Sequence, residues 1–248
     1  MKLTKRTLDW RPFFDAKSRN YAIRPLLKQR NVEIKPKMWE EGIVLDQGSE
    51  GACVGFAWTG ELLAQPKAPD SQPSFNYGNE LATSFYQEAQ RIDEWPGENY
   101  SGTSVLAGAK IMKEKGFIGE YRWCFNLNDI RESVISEGPV VFGTPWYDGM
   151  YQTKPDGRVR VSGKKVGGHA ILITGYDPKM RFGNTNLEVF RWRNSWGEEY
   201  GINGSGWIEA KLLAKLIEDG AEACVPMQRE VPVFNEPKTS IWRKLFNK

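Results

Sequence analysis

From Ala52 to about Gln65 apolar residues fall on every side of the chain: Cys53, Val54, Phe56, Ala57, Trp58, Leu62 and Leu63. That pattern predicts a helix buried on nearly all faces, ended by Pro66, Pro69 and Pro73. Tyr77, Leu81, Phe85 and Ala89 recur every four residues and predict an amphipathic helix. Residues 92–102, with Trp95-Pro96-Gly97 and Tyr100-Ser101-Gly102, read as a loop. Ser101 or Thr103 then caps a helix with the stripe Leu106, Ala109 and Met112, closed by Gly116. Asn128 caps a further short helix carrying Ile130, Val134 and Ile135. After Gly138 the texture changes. Residues 139–142, 170–174, 187–192 and 206–209 read as strands separated by turns, with a last helix near 211–218. Helices first and strands second predict an α+β protein of two lobes.

The length of 248 residues fits one large domain or two small lobes with an ample core. The net charge of +3 is too small to imply a nucleic-acid partner. Its distribution says more. Residues 1–40 hold eleven Lys/Arg against four Asp/Glu, and residues 41–210 hold sixteen against twenty-two. The reading is therefore a basic arm over residues 1–40 laid on the body, a main domain over 41–228, and a tail over 229–248 that includes Trp242–Phe246. What the arm binds is open at this stage; a solvated segment is the plain reading. Three scattered cysteines make no disulfide framework and no metal-ligand spacing. The N-terminus has no apolar signal region, and no apolar run reaches transmembrane length, so the expectation is a cytoplasmic protein without a membrane partner. No metal or organic cofactor is implied.

The candidate chemistry lies in three glycine-rich runs. Cys53 follows Gln47-Gly-Ser-Glu-Gly-Ala52, His169 is the only histidine and follows Gly167-Gly168, and Asn194 opens Asn-Ser-Trp-Gly197. A thiol nucleophile needs a base, and the base needs a third group to hold its ring. Each residue alone has a plain structural reading: a packed thiol, a satisfied histidine, a turn asparagine. Their joint occurrence, in this order, points to thiol catalysis.

These runs resemble the papain-like cysteine peptidase family over roughly residues 41–210, in the propeptide-less, non-secreted style of bacterial or viral members. In that family the histidine and asparagine lie about 130–150 residues beyond the cysteine; here the intervals are 116 and 141. The resemblance implies a two-lobe fold with a helical N-terminal lobe, a strand-rich, barrel-like C-terminal lobe and the cleft between them. It implies hydrolysis of peptide bonds in a protein or peptide substrate. Cys53 is then the nucleophile, its thiolate favoured at a helix N-terminus. His169 is the base, Asn194 orients it, and Gln47 donates to the oxyanion beside the Cys53 N–H. Gly102, Gly168 and Trp196 belong to the substrate-binding surface, Trp196 also covering the Asn194–His169 bond.

The chain departs from that pattern in places. Glu50 stands where secreted relatives carry a disulfide cysteine, and, pointing inward, would raise the thiol pKa. Val54 replaces the tryptophan usual after the nucleophile. No long inhibitory propeptide pattern precedes Cys53, so restraint must come from narrow specificity, the basic arm over the cleft, or assembly into a larger particle. Two alternatives stay open: a deamidase or transglutaminase-like acyl transferase, and a catalytically silent papain-fold binding or structural protein, such as a viral particle component.

Overall fold

The computed structural model describes residues 6–13, 15–96 and 100–236; the tail segment Trp242–Phe246 lies outside them. The first helix, α1 (Arg24–Arg30), follows a short 3-10 turn at Ala16–Tyr21. Ile23 and Leu27 are fully buried against the strand-rich part of the molecule, so this stretch is structured rather than extended. Arg24 pairs with Asp129 and Glu132 and fixes it there.

Helix α2 (Cys53–Leu63) is buried at every position, as its all-round apolar pattern requires. Helix α3 (Phe75–Ile92) starts at Ser74, whose hydroxyl accepts the Tyr77 N–H. Helix α4 (Val105–Glu114) starts at Ser104, whose Oγ accepts the Ala107 N–H at 3.0 Å. Neither expected cap does this: Thr103 donates to Asp93 at 2.7 Å and Ser101 donates to Asp9 at 2.8 Å. Helix α5 (Leu127–Ser136) is likewise capped by Asn126, two residues before the expected Asn128. An N-cap must be extended and aim an oxygen at the third residue on, and Asn128 is already inside the helix. Helix α6 covers Ala210–Glu218.

The strands are β1 (Lys37–Met38), β2 (Ile118–Cys124), β3 (Val140–Tyr147), β4 (Lys165–Phe182), β5 (Thr185–Arg193), β6 (Ser205–Glu209) and β7 (Glu222–Arg229). Among the described residues they form one sheet in the order β2-β7-β3-β4-β5-β6, with β1 added to β4. Every pairing is antiparallel. Strands β2 and β7 were not anticipated, and they pair with each other at one end of the sheet.

Two apolar cores lie against the sheet. One unites α2 and α4 with Val141, Ala170 and Leu172. The other holds Phe142, Trp146, Ile173, Phe190 and Trp192 with residues of α5 and α6. Charged groups fasten the parts. Glu41 accepts bonds from Arg191, Thr174 and Ser205 and pairs with Arg193 at 2.7 Å, joining the stretch before α2 to β4, β5 and β6. These cations and hydroxyls outweigh burial and hold its carboxyl below the usual range. Arg229 pairs with the buried Glu61 at 2.6 Å and ties β7 to α2.

Candidate active site

Cys53 opens α2, and His169 lies on β4, the strand against which that helix packs. Backbone N–H groups of Ala170, Asp9 and Val54 point at the Cys53 sulfur, so the sulfur sits beside the residue that follows His169. Asn194 follows β5, the neighbour of β4, and its Oδ1 lies 2.8 Å from His169 Nε2. The same oxygen accepts the Ser195 backbone N–H at 2.8 Å. A backbone N–H can only donate, so it fixes which end of the amide is oxygen. His169 Nε2 must then carry the proton, and Nδ1 is the basic nitrogen. Nδ1 is buried and has no hydrogen-bond partner among the described residues.

Aromatic rings enclose this pair. Trp196 tilts over His169 with centroids 4.7 Å apart, and Trp146 meets the imidazole edge-on at 4.7 Å. Trp192 stacks on Trp146, and Tyr151 and Tyr200 pack on Trp196. Burial lowers the His169 pKa to about 4, against the opposing pull of Asn194. Trp146, Tyr151 and Tyr200 escaped the sequence reading. No local pattern marks them, because they meet only when β3 and the two loops around Tyr151 and Tyr200 converge.

Gln47 is stitched to the Asn194 segment. Its Oε1 accepts the Ser195 hydroxyl at 2.7 Å, and its backbone N–H reaches Ser195 O at 2.9 Å. Its amide NH2 donates to Glu50 O at 2.7 Å and, at 3.5 Å, toward the Thr7 carbonyl.

That carbonyl belongs to the N-terminal arm, which threads the cleft. Arg6 donates to Asp46 at 2.7 Å and to Trp196 O at 3.2 Å. The Trp10 N–H donates to Gly168 O at 2.9 Å, and the Arg11 N–H to Thr103 O at 3.1 Å. Arg11 then lies over the Tyr100 ring, 4.5 Å from its centroid. Gly102 has φ +89°, and a Cβ there would collide with the Asp9 carbonyl oxygen; one at Gly168 would collide with that of Trp10. The Trp10 ring is only 5 % exposed, fits over Gly143, and donates from Nε1 to Glu222 at 2.9 Å. Burial raises the Glu222 carboxyl to about 8, although the Trp10 and Val105 N–H groups oppose it. Asp9, Trp10 and Glu222 were all missed, because an arm and a pocket so distant in sequence share no local signal.

With the arm in place the thiol is not activated. Burial pushes Cys53 up to about 12, and the Asp9 carboxylate adds to the rise. This corrects the expectation of a thiolate at the helix start: desolvation outweighs the N–H groups that favour the anion. Glu50 is exposed, so the negative charge that acts on the thiol is that of Asp9. Among the described residues no group of three His, Cys, Asp or Glu side chains is placed to hold a metal ion, and no helix is long and apolar enough to cross a membrane.

The fold is thus an antiparallel sheet with helices packed on it; it bonds His169 to Asn194 and starts the Cys53 helix beside Ala170, the residue after the histidine. The family model for papain family cysteine proteases matches residues 85–219. The chain belongs to that family. The matched stretch contains His169 and Asn194 and begins after Cys53.

Xylellain, a cysteine protease from Xylella fastidiosa, superimposes with a TM-score of 0.65 at 20% identity, over 92% of this chain and 99% of that one. The bromelain protease from Ananas comosus gives 0.51 at 14% identity, over 82% and 97%. A peptidase C1-like protein of Acanthamoeba polyphaga mimivirus is 22% identical over 219 residues, 68% of this chain and 65% of that protein. A cathepsin B-like cysteine proteinase of Caenorhabditis elegans is 31% identical over 78 residues, 32% of this chain and 22% of its own length. The chain therefore spans less than two thirds of either of these two relatives.

Proposed function

We propose that this chain is a cysteine peptidase that hydrolyses peptide bonds through a thioester on Cys53, and that residues 6–11 hold it closed. The observation that carries the first part is the His169–Asn194 bond, whose polarity, set by the Ser195 N–H, leaves Nδ1 basic beside the Cys53 segment. Once the arm leaves, water enters and the penalty on the thiolate falls. His169 Nδ1 takes the thiol proton, and Sγ attacks the substrate carbonyl carbon. The oxyanion is met by the Cys53 N–H and, after it turns from Glu50 O, by the Gln47 amide. The C–N bond breaks, and His169 returns the proton to the leaving amine. Water, deprotonated by the same nitrogen, then cleaves the thioester to an acid and restores the thiol. Gly102 and Gly168, which now face the arm backbone, present the same surface to a substrate backbone, and Trp196 keeps water from the Asn194–His169 bond.

The arm does not mimic a substrate at the sulfur. It offers the N–H of Asp9 to Cys53, where a substrate offers a carbonyl carbon. That geometry also suits a second reading, a permanently closed protein without turnover. A peptide library incubated with the full chain, with and without Trp10→Ala, and read by mass separates the possibilities. Cleaved chains, lost with Cys53→Ala, support the peptidase. A mass shift at a glutamine supports a deamidase. No product from the folded Trp10→Ala protein supports the closed form.

A further inference from the structure

The mechanism leaves unused a cavity of about 520 Å³ bordered by Trp196. Tyr151, stacked on Trp196 with centroids 5.6 Å apart, forms part of its wall. Lys154 and Arg160 line it, together with Arg6 of the arm and Glu199. Arg6 is committed to Asp46. Among the described residues neither Lys154 nor Arg160 makes an ion pair or a side-chain hydrogen bond. Asp156, which feels the Lys154 charge, is bonded to Arg158 at 2.9 Å. The cavity thus holds two uncommitted cations against the single carboxylate of Glu199.

Its position gives it a role. His169 hands its proton to the leaving amine, so the departing half of a substrate leaves from the His169 side of the scissile bond. Trp196 forms that side, packing on His169 and bordering the cavity. The arm already shows that a peptide passes there, since Arg6 reaches the Trp196 carbonyl.

We infer that this cavity is a leaving-side subsite in which Lys154 and Arg160 select a carboxylate on the departing peptide. The inference rests on the peptidase reading. The carboxylate has two sources, an acidic side chain or the C-terminus of the substrate itself. Pairs of this exposure are individually weak and screened by salt, so the preference is a modest one.

The test separates this subsite from the chemistry at Cys53. Full-length protein with Cys53→Ala, with and without Trp10→Ala, is titrated with four short probes followed by tryptophan fluorescence. They are Ala-Glu-amide, Ala-Ala with a free carboxyl, Ala-Lys-amide and Ala-Ala-amide. Expected is about fivefold tighter binding of at least one carboxylate probe than of Ala-Ala-amide at low salt, fading at high salt. Whether Ala-Glu-amide or free Ala-Ala leads identifies the source. Lys154→Glu with Arg160→Glu, the first half-buried and the second exposed, should transfer the preference to Ala-Lys-amide. Equal binding of all four probes, or a ranking untouched by the charge reversal, overturns the inference. A peptide ending in a small fluorescent amine, too short to reach the cavity, reads Cys53 turnover in the protein that retains Cys53. Its failure counts against the peptidase and not against the subsite.

Discussion

Trp10→Ala isolates the grip of the arm on the cleft. The indole is 5 % exposed, lies over Gly143 and donates to Glu222 at 2.9 Å. Truncating a buried tryptophan costs about 3–5 kcal/mol. All of that loss falls on the closed state, because in the open state the side chain is in water. The closed-to-open ratio should therefore drop by roughly a hundred- to a few thousandfold. Alkylation of Cys53 by iodoacetamide, followed by intact mass and peptide mapping, reads this ratio, since the sulfur is fully buried while the arm is in place. Cys224 is the internal control: it lies at 0 % exposure in the core beneath and is labelled only by global unfolding. The expected result is labelling of Cys53 at least a hundredfold faster, with Cys224 unlabelled. Trp10→Phe, which keeps most of the bulk but loses the N–H, should fall between. Cys53 labelling within twofold of wild type would refute the plug, as would equal acceleration at Cys53 and Cys224.

Other outcomes follow from the same geometry. Burial raises Glu222 to about 8 against the Trp10 N–H, which favours the carboxylate, so folding takes up a proton there. The folded state is then favoured at low pH and loses this stabilisation as pH rises from the ordinary carboxylate range toward about 8. The denaturant midpoint should fall through that window, and Glu222→Gln should remove this part of the fall. Asn194→Ala leaves the His169 Nε2 proton unpartnered in a buried site, a loss of about 1–3 kcal/mol. It should lower kcat by roughly five- to a hundredfold, and Gln47→Ala should lower it by about 10²–10³; equal kcat in either variant contradicts its assigned role. Glu41→Ala strands the Arg193 charge beside Arg191 and should destabilise the fold by about 3–5 kcal/mol, seen as a clear fall in the denaturant midpoint.

Much of this was legible in the sequence where the cause is local. The all-round apolar run gave the Cys53 helix, and the glycine-rich runs around His169 and Asn194 marked the pair that β4 and β5 join. Caps were misplaced by one to three residues, since Ser101, Thr103 and Ser104 share the chemistry and only the backbone decides which is extended. Strand β7 was missed because Glu222–Arg229 contains Pro226 and polar ends, features that argue against a strand until its partner β2 is known. The un-ionised thiol was not legible at all. It depends on burial and on Asp9, which comes from far along the chain, while the helix N-terminus that favours a thiolate is visible in the sequence alone. The basic arm, read as laid on the body with its contacts open, docks along Thr103 and Gly168, and nothing in its composition marks where.

Gly51, Gly102, Gly143, Gly167 and Gly168 all border the arm, and a methyl group added to any of them would strike it. Room for a peptide is therefore made by side chains that are absent, and an absent side chain reads no sequence. Any extended chain fits such a track equally well, including the N-terminus of a neighbouring copy. Discrimination is left to the two places where side chains do reach in, the Glu222 pocket and the cavity bordered by Trp196. Exchanging residues 7–11 for another peptide should accordingly alter how firmly the cleft is shut, while leaving those two places intact.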